Sequence, residues 1–307
     1  MHRWVPVRVQ LPARRLALLV LPLMLGLPAL HAAAASLTPP AAPIASAERK
    51  LLAEAVAVML FVVVPVFVLT PWVAWRYRRR NPRSRYQPGW SFSWLLEVLI
   101  WGVPAIVVTV LGYKVWTRTQ ALDPYRRLNA DTAPLEVQVV GLDWKWLFIY
   151  PEQHIATVNA PVFPVGRPVH LQLTSDSVMV SLLMPRLAGQ IYAMPGMTTQ
   201  LSFQADKAGL YLGENTQYNG SGFANQRFTA HAMPPHDFAT WVQGVRANGE
   251  RLDAARYAKV AAREVQDQPL YFSQVQDGLF DGLVAKYHGH SHLPANPPPA
   301  AEAAHGH

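Results

Sequence analysis

Glu97 is the only charged side chain between Trp90 and Tyr113, and its setting carries the clearest chemical implication in this sequence. A carboxylate inside an apolar stretch is costly and faces protein or water rather than hydrocarbon. Trp90, Trp94, Glu97 and Trp101 are spaced four, three and four residues apart, so they share one face of a helix. With a helix starting at Trp90, Glu97 lies about 10 Å from its end, and Pro104 bends the helix further on. An ionisable group hydrated on one side and packed on the other can pass protons. The structural alternative is a carboxylate that snorkels to the headgroups.

The remaining reactive side chains form no comparable setting. His288, His290 and His292, with His305 and His307 at the end, could hold zinc or copper weakly. Such a tail lacks the fixed geometry and supporting hydrogen bonds of a working metal site. His154, His170, His231 and His236 have no ligand spacing and read as surface or strand residues. The chain has no cysteine, which excludes disulfides, thiolate metal sites and thiol catalysis. Without a Walker loop, a Rossmann glycine pattern or a nucleophile elbow, no catalytic residue and no metal are expected in this chain.

These residues must be carried by elements of two kinds. Hydrophobic residues make up 51% of the 307 residues and charged ones 15%, too apolar for a wholly soluble protein. The formal charge of +8 comes from arginines at the N-terminus and in one short loop, while acids outnumber bases beyond Ala121. That distribution excludes a nucleic-acid partner. Arg3, Arg8, Arg14 and Arg15 precede a Leu-rich stretch and then the small residues Ala32 to Ala35, the layout of a secretory signal peptide over residues 1–35. Residues 36–120 read as a transmembrane hairpin with spans at about 53–75 and 90–113, each long enough to cross a bilayer. Glu54 lies at the outer edge of the first span. Arg76, Arg78, Arg79, Arg80, Arg83 and Arg85 fall in the connecting loop, which the positive-inside rule places in the cytoplasm. The N-terminus and the large C-terminal part are then periplasmic, on a bacterial inner membrane and in contact with its lipid.

Beyond Asp131 the pattern becomes one of short strands bounded by Pro, Gly and Asn, such as Leu135 to Leu142, Trp144 to Tyr150 and Arg227 to Met233. They predict an all-β sandwich or barrel over residues 130–235. Residues 236–287 read as a helical, aromatic-rich arm, with Phe238, Trp241 and Val245 at helical spacing. Residues 288–307 read as a disordered His/Pro-rich tail.

The segment from Gly141 through Trp144, Trp146 and Tyr150 to Gln153, followed by Ile155 to Asn159, resembles the start of the periplasmic domain in subunit II of cytochrome bo-type quinol oxidases. So do Ser175 to Met179, Pro185 to Leu187 and Gln190 to Met197, while Tyr271 to Ser273 and Leu279-Phe280 resemble the family's aromatic-rich C-terminal arm. The resemblance implies a cupredoxin-like fold within the haem–copper oxidase superfamily. In that superfamily's cytochrome c oxidases the domain holds a binuclear copper centre. Matching its frame puts the ligand positions on Val180, Asn215, Gln217, Asn219, Phe223 and Gln226. Bridged copper needs thiolates, and amides have neither the charge nor the softness it selects.

The resemblance therefore implies a non-catalytic subunit of a proton-pumping ubiquinol oxidase, with no cytochrome c as donor. It further implies haems and one copper in a partner subunit I, with subunits III and IV as further partners and ubiquinol as substrate of the complex. Glu97, ahead of Trp101 and Pro104, resembles the mouth of a proton-uptake channel, and its face would meet subunit I. Trp144 matches an aromatic that passes electrons in the copper-bearing branch, and here reads as a packed rim residue. A menaquinol oxidase subunit and a stand-alone membrane-tethered cupredoxin-like binding module stay open at this point.

Overall fold

The computed structural model describes residues 39–79, 81, 89, 92–126, 128 and 132–288. The signal segment, Arg80, Arg83, Arg85, Trp90 and the tail histidines from His290 onward lie outside the described residues.

Among the described residues two long helices come first, α1 (Pro43–Arg76) and α2 (Trp94–Ala121). Pro sits in the first turn of α1, where its missing N–H has no helical partner to lose. Both helices expose large apolar side chains, among them Phe61, Phe67, Leu95 and Ile106. Apolar surface this continuous belongs against lipid or another subunit. Lys114 of α2 donates to Glu54 of α1 at 2.7 Å, tying the helices together.

α1 begins well before its apolar run. Its first turn and the two residues before it dock on the folded domain, where Ala41, Ala42 and Ala45 are buried. Ala41 N–H donates to Arg186 O at 3.0 Å, and Asp206 N–H donates to Ala41 O at 2.8 Å. Gly189 leaves room for the Glu48 carboxylate, which a side chain there would meet at 2.5 Å. Hydropathy misses this extension because small and charged residues make the contact.

The domain is a sandwich of two sheets. The larger has seven strands, drawn from β1 (Leu135–Leu142), β2 (Lys145–Tyr150), β3 (Ile155–Val158), β5 (Pro168–Ser175), β8 (Thr199–Gln204), β11 (Glu250–Leu252) and β12 (Leu270–Val275). Their order is β11-β12-β3-β2-β1-β5-β8. The smaller has five strands in the order β4-β10-β9-β6-β7. These are β4 (Val162–Pro164), β6 (Val180–Met184), β7 (Ala188–Ala193), β9 (Gly209–Asn215) and β10 (Arg227–Met233). Between the sheets lie Trp146, Phe148, Phe163, Phe203, Tyr211 and Phe228, with Phe148 and Phe228 edge to face at 5.0 Å.

Three further helices, α3 (Pro235–Asn248), α4 (Ala254–Val260) and α5 (Leu279–His288), follow the sandwich. The arm is not purely helical, as its periodicity predicts, because β11 and β12 extend the larger sheet. β12 pairs antiparallel with β3, setting Leu270 opposite Val158, and β11 pairs parallel with β12. The arm thereby covers the sheet's outer face with Leu252, Tyr257, Phe272 and Phe280, against Val140, Leu142, Leu147 and Ile149. That cover explains why every residue of β2 is buried. A strand buried on both faces reads as continuously apolar rather than alternating.

Candidate functional site

At one end of the sandwich, three carboxamides fold inward from the segment that ends β9 and leads into β10. Asn215 closes β9, Gln226 directly precedes β10, and Asn219 lies between them. Asn215 Nδ2 donates to Gln226 Oε1 at 2.9 Å, and Asn219 Nδ2 donates to the same oxygen at 2.7 Å. Gln226 Nε2 in turn donates to Leu142 O at 3.1 Å and Lys145 O at 3.4 Å. Asn215 Oδ1 accepts from the Gln217 and Ser181 amides, each at 2.9 Å. A carboxamide both donates and accepts, so these residues link loop, β6 and the β1–β2 turn with no net charge.

Trp144 forms the lid of this cluster. It occupies the left-handed region with φ of 64°, as the tight β1–β2 turn demands. Its Nε1 donates to Asn219 O at 3.3 Å. The ring lies so close to Gly222 that any side chain there would overlap it. The Arg263 guanidinium covers the ring with its carbon 5.1 Å from the centroid.

The residues set at ligand positions by the resemblance do not all converge. Asn215, Gln217, Asn219 and Gln226 join one hydrogen-bond network, whereas Val180 lies beside it, packed toward Gly141 and next to Ser181. Phe223 turns aside to pack against Tyr218, with ring centroids 5.7 Å apart. This donor set does not fit copper. The carboxamides are neutral, they are engaged with one another, and none supplies the thiolate that bridged copper requires.

Glu97 belongs to the membrane hairpin. Because α2 starts at Trp94, Glu97 lies in the first helical turn, nearer the helix end than a start at Trp90 predicts. A carboxylate there also complements the positive end of the helix dipole. Its Oε2 accepts from Trp101 Nε1 at 3.1 Å, so these two residues of the tryptophan face are joined. Trp94 and Trp101 are 68% and 73% exposed, an apolar face left uncovered among the described residues.

Residues 152–229 match the family described as cytochrome c oxidase subunit II, periplasmic domain, and residues 246–291 match the COX aromatic rich motif. The ubiquinol oxidase subunit 2 of Acetobacter aceti is 44% identical over 251 residues, 81% of each chain. This chain belongs to the quinol oxidase subunit 2 family. The cytochrome bo(3) ubiquinol oxidase subunit 2 of Pseudomonas aeruginosa is 43% identical, over 79% of this chain and 73% of that one. The quinol oxidase subunit 2 of Bacillus subtilis is 34% identical, over 90% and 85%. Among solved structures, the periplasmic domain of cytochrome oxidase subunit II from Bradyrhizobium japonicum gives a TM-score of 0.36 at 23% identity, covering 39% of this chain and 96% of that one.

As a quinol oxidase subunit 2, the chain is a membrane-anchored member of an oxidoreductase complex with a cupredoxin-like domain. Its structure also reveals two polar anchors that residue patterning does not assign. Asp176, with a side chain only 4% exposed, accepts from Tyr257 Oη at 2.7 Å, Lys286 Nζ at 2.7 Å and Tyr287 Oη at 3.0 Å. Burial, then the hydrogen bond to Asp176, raises the Tyr257 phenol above its usual range. Lys145, 1% exposed, donates to Ala262 O at 2.9 Å and lies 3.7 Å from Glu264. Burial pulls its ammonium down, and Glu264 opposes that shift. The legible signal for Lys145 was a lone cation within an apolar strand, which must find a partner when buried.

Proposed function

We propose that this chain is the non-catalytic subunit II of a proton-pumping terminal oxidase that takes electrons from ubiquinol and reduces oxygen to water. The observation that carries this reading is the amide cluster of Asn215, Asn219 and Gln226. A domain whose core end is closed by neutral, mutually bonded carboxamides offers no stopping point for an electron from a soluble donor. Reducing equivalents then reach the haem-bearing partner by a lipid-soluble carrier. Names of relatives favour ubiquinol, since those at 44% and 43% identity are called ubiquinol oxidase subunits.

In this reading Val180, Asn215, Gln217, Asn219, Phe223 and Gln226 stand where a copper-bearing relative has its ligands. The hairpin lies in the inner membrane with the arginine loop in the cytoplasm and the sandwich in the periplasm. The Trp94–Glu97–Trp101 face packs on subunit I, which carries the haems and one copper, and subunits III and IV complete the complex. Glu97 forms part of a proton-uptake entrance on the cytoplasmic side. Its support is the indole hydrogen bond from Trp101, which holds a carboxylate at the membrane edge of the uncharged run that α2 carries from Val98 to Tyr113.

The test is purification of the complex through this chain, followed by haem analysis and oxygen consumption with ubiquinol or ferrocytochrome c as sole reductant. Haem co-purification with ubiquinol-driven turnover is expected. Brisk turnover with ferrocytochrome c, or a haem-free preparation, overturns the reading.

A further inference from the structure

Four charged side chains gather where the two membrane helices meet, away from the arginine loop. Lys114 donates to Glu54 at 2.7 Å. Lys50 stands four residues before Glu54 on α1, and Arg118 four residues after Lys114 on α2, so each lies one turn along the same face. Both cations also act electrostatically on the Glu54 carboxylate. Lys50 and Arg118 are exposed, and among the described residues neither has an ion-pair partner of its own.

The height of the cluster follows from helix geometry. Lys114 lies about 30 Å along α2 from Trp94, and Glu54 about 33 Å along α1 from Arg76, at 1.5 Å per residue. Each distance matches the hydrocarbon thickness of a bilayer. Tyr113 and Trp116, 71% and 69% exposed, set interfacial aromatics at the same level. The outer side of a membrane protein is normally depleted of Lys and Arg. Three cations within a turn or two of each other therefore call for local anions, and Glu54 neutralises one of them. Around α2, Lys114 and Arg118 point roughly 90–130° away from the centre of the Trp94–Glu97–Trp101 face at 100° per residue. The cluster thus opens on a different side from the face assigned to the partner subunit.

We infer that Lys50, Lys114 and Arg118 form a binding site for the phosphate of an anionic phospholipid headgroup in the outer leaflet. The inference rests on the membrane orientation given under the proposed function. Glu54 holds the Lys114 ammonium in place, and the phosphate lies between Lys50 and Arg118, where its single negative charge meets the two remaining cations. The acyl chains run along exposed apolar side chains such as Val110, one turn below Lys114.

The intact oxidase, stripped of lipid in detergent, is titrated with phosphatidylglycerol, phosphatidylcholine or inorganic phosphate and read by native mass spectrometry. Phosphatidylglycerol is expected to be retained over phosphatidylcholine. A Lys50→Gln, Arg118→Gln double variant should bind it roughly thirtyfold more weakly, about fivefold per cation, with phosphatidylcholine unaffected. Equal retention by the variant, or displacement of the lipid by equimolar inorganic phosphate, overturns the site. Loss of the haem-bearing subunit from the double variant also overturns it, since the cluster then meets an acidic segment of a protein partner. Haem content and ubiquinol-driven turnover of the unaltered complex test the oxidase reading separately, so normal turnover without lipid retention removes the lipid site alone.

Discussion

The carboxamide oxygen of Gln226 accepts from Asn215 at 2.9 Å and from Asn219 at 2.7 Å, joining two ends of one loop through a fully buried side chain. Replacing it by Leu, which fills similar space, leaves both Asn donors and the carbonyls of Leu142 and Lys145 without their partner. Gln226→Leu is expected to cost about 2–4 kcal/mol, read as a lower thermal midpoint of the subunit in the assembled complex. An unchanged midpoint would show that the loop holds without this network.

Gly222 tests the packing of the same region. The Trp144 ring occupies the space that a methyl group at residue 222 would need, so Gly222→Ala should destabilise by about 1–3 kcal/mol. In a Trp144→Ala background the same change should cost almost nothing, because the clash is gone. Equal costs in both backgrounds would place the strain elsewhere.

Asp176 ties the end of β5 to the arm, and its effect should be visible at high pH. Its hydrogen bond is the first cause of the raised Lys286 ammonium, while burial comes first for Tyr257 and Tyr287, with Asp176 adding to both. All three folded values lie above the unfolded ones of about 10. Their stabilising contribution is therefore complete below about pH 10 and is lost as pH rises through the folded values. Tyrosinate absorbance should show late ionisation in the native subunit and earlier ionisation in Asp176→Asn, together with faster proteolysis of residues 279–288 at neutral pH. Coincident titrations of the two proteins would remove the anchor.

Glu97→Ala in the assembled oxidase should slow proton uptake several-fold while leaving haem content intact. Trp101→Phe, which removes only the indole donor to Glu97, should have a smaller effect of the same sign. Undiminished proton uptake in a fully assembled Glu97→Ala complex would reduce that carboxylate to a helix-terminus charge.

Legibility differed from element to element. The apolar runs of α1 and α2 announce themselves because hydropathy is a sum over local residues, and β2 does so because its side chains are apolar on both faces. The docked start of α1 and the residues just before it were illegible, since Ala41, Ala42 and Ala45 contribute by being small against a surface distant in the chain. β11 and β12 were missed because three- and six-residue strands are stabilised by their pairing with β3 and with each other rather than by intrinsic preference.

The candidate site divides in the same way. Composition alone determined that no thiolate-bridged copper can form here, because a missing element cannot be restored by any fold. Spacing alone put Trp94, Glu97 and Trp101 one above another along α2, since helical periodicity is a local property, whereas Trp90 lies outside the described residues. Tertiary structure decided that Asn215 and Asn219 both donate to Gln226, that Asp176 gathers three donors from the arm, and that Glu54 meets Lys114 sixty residues away. Each of these is a pairing between distant positions, and burial makes its choice of partner energetically binding only once the chain has folded.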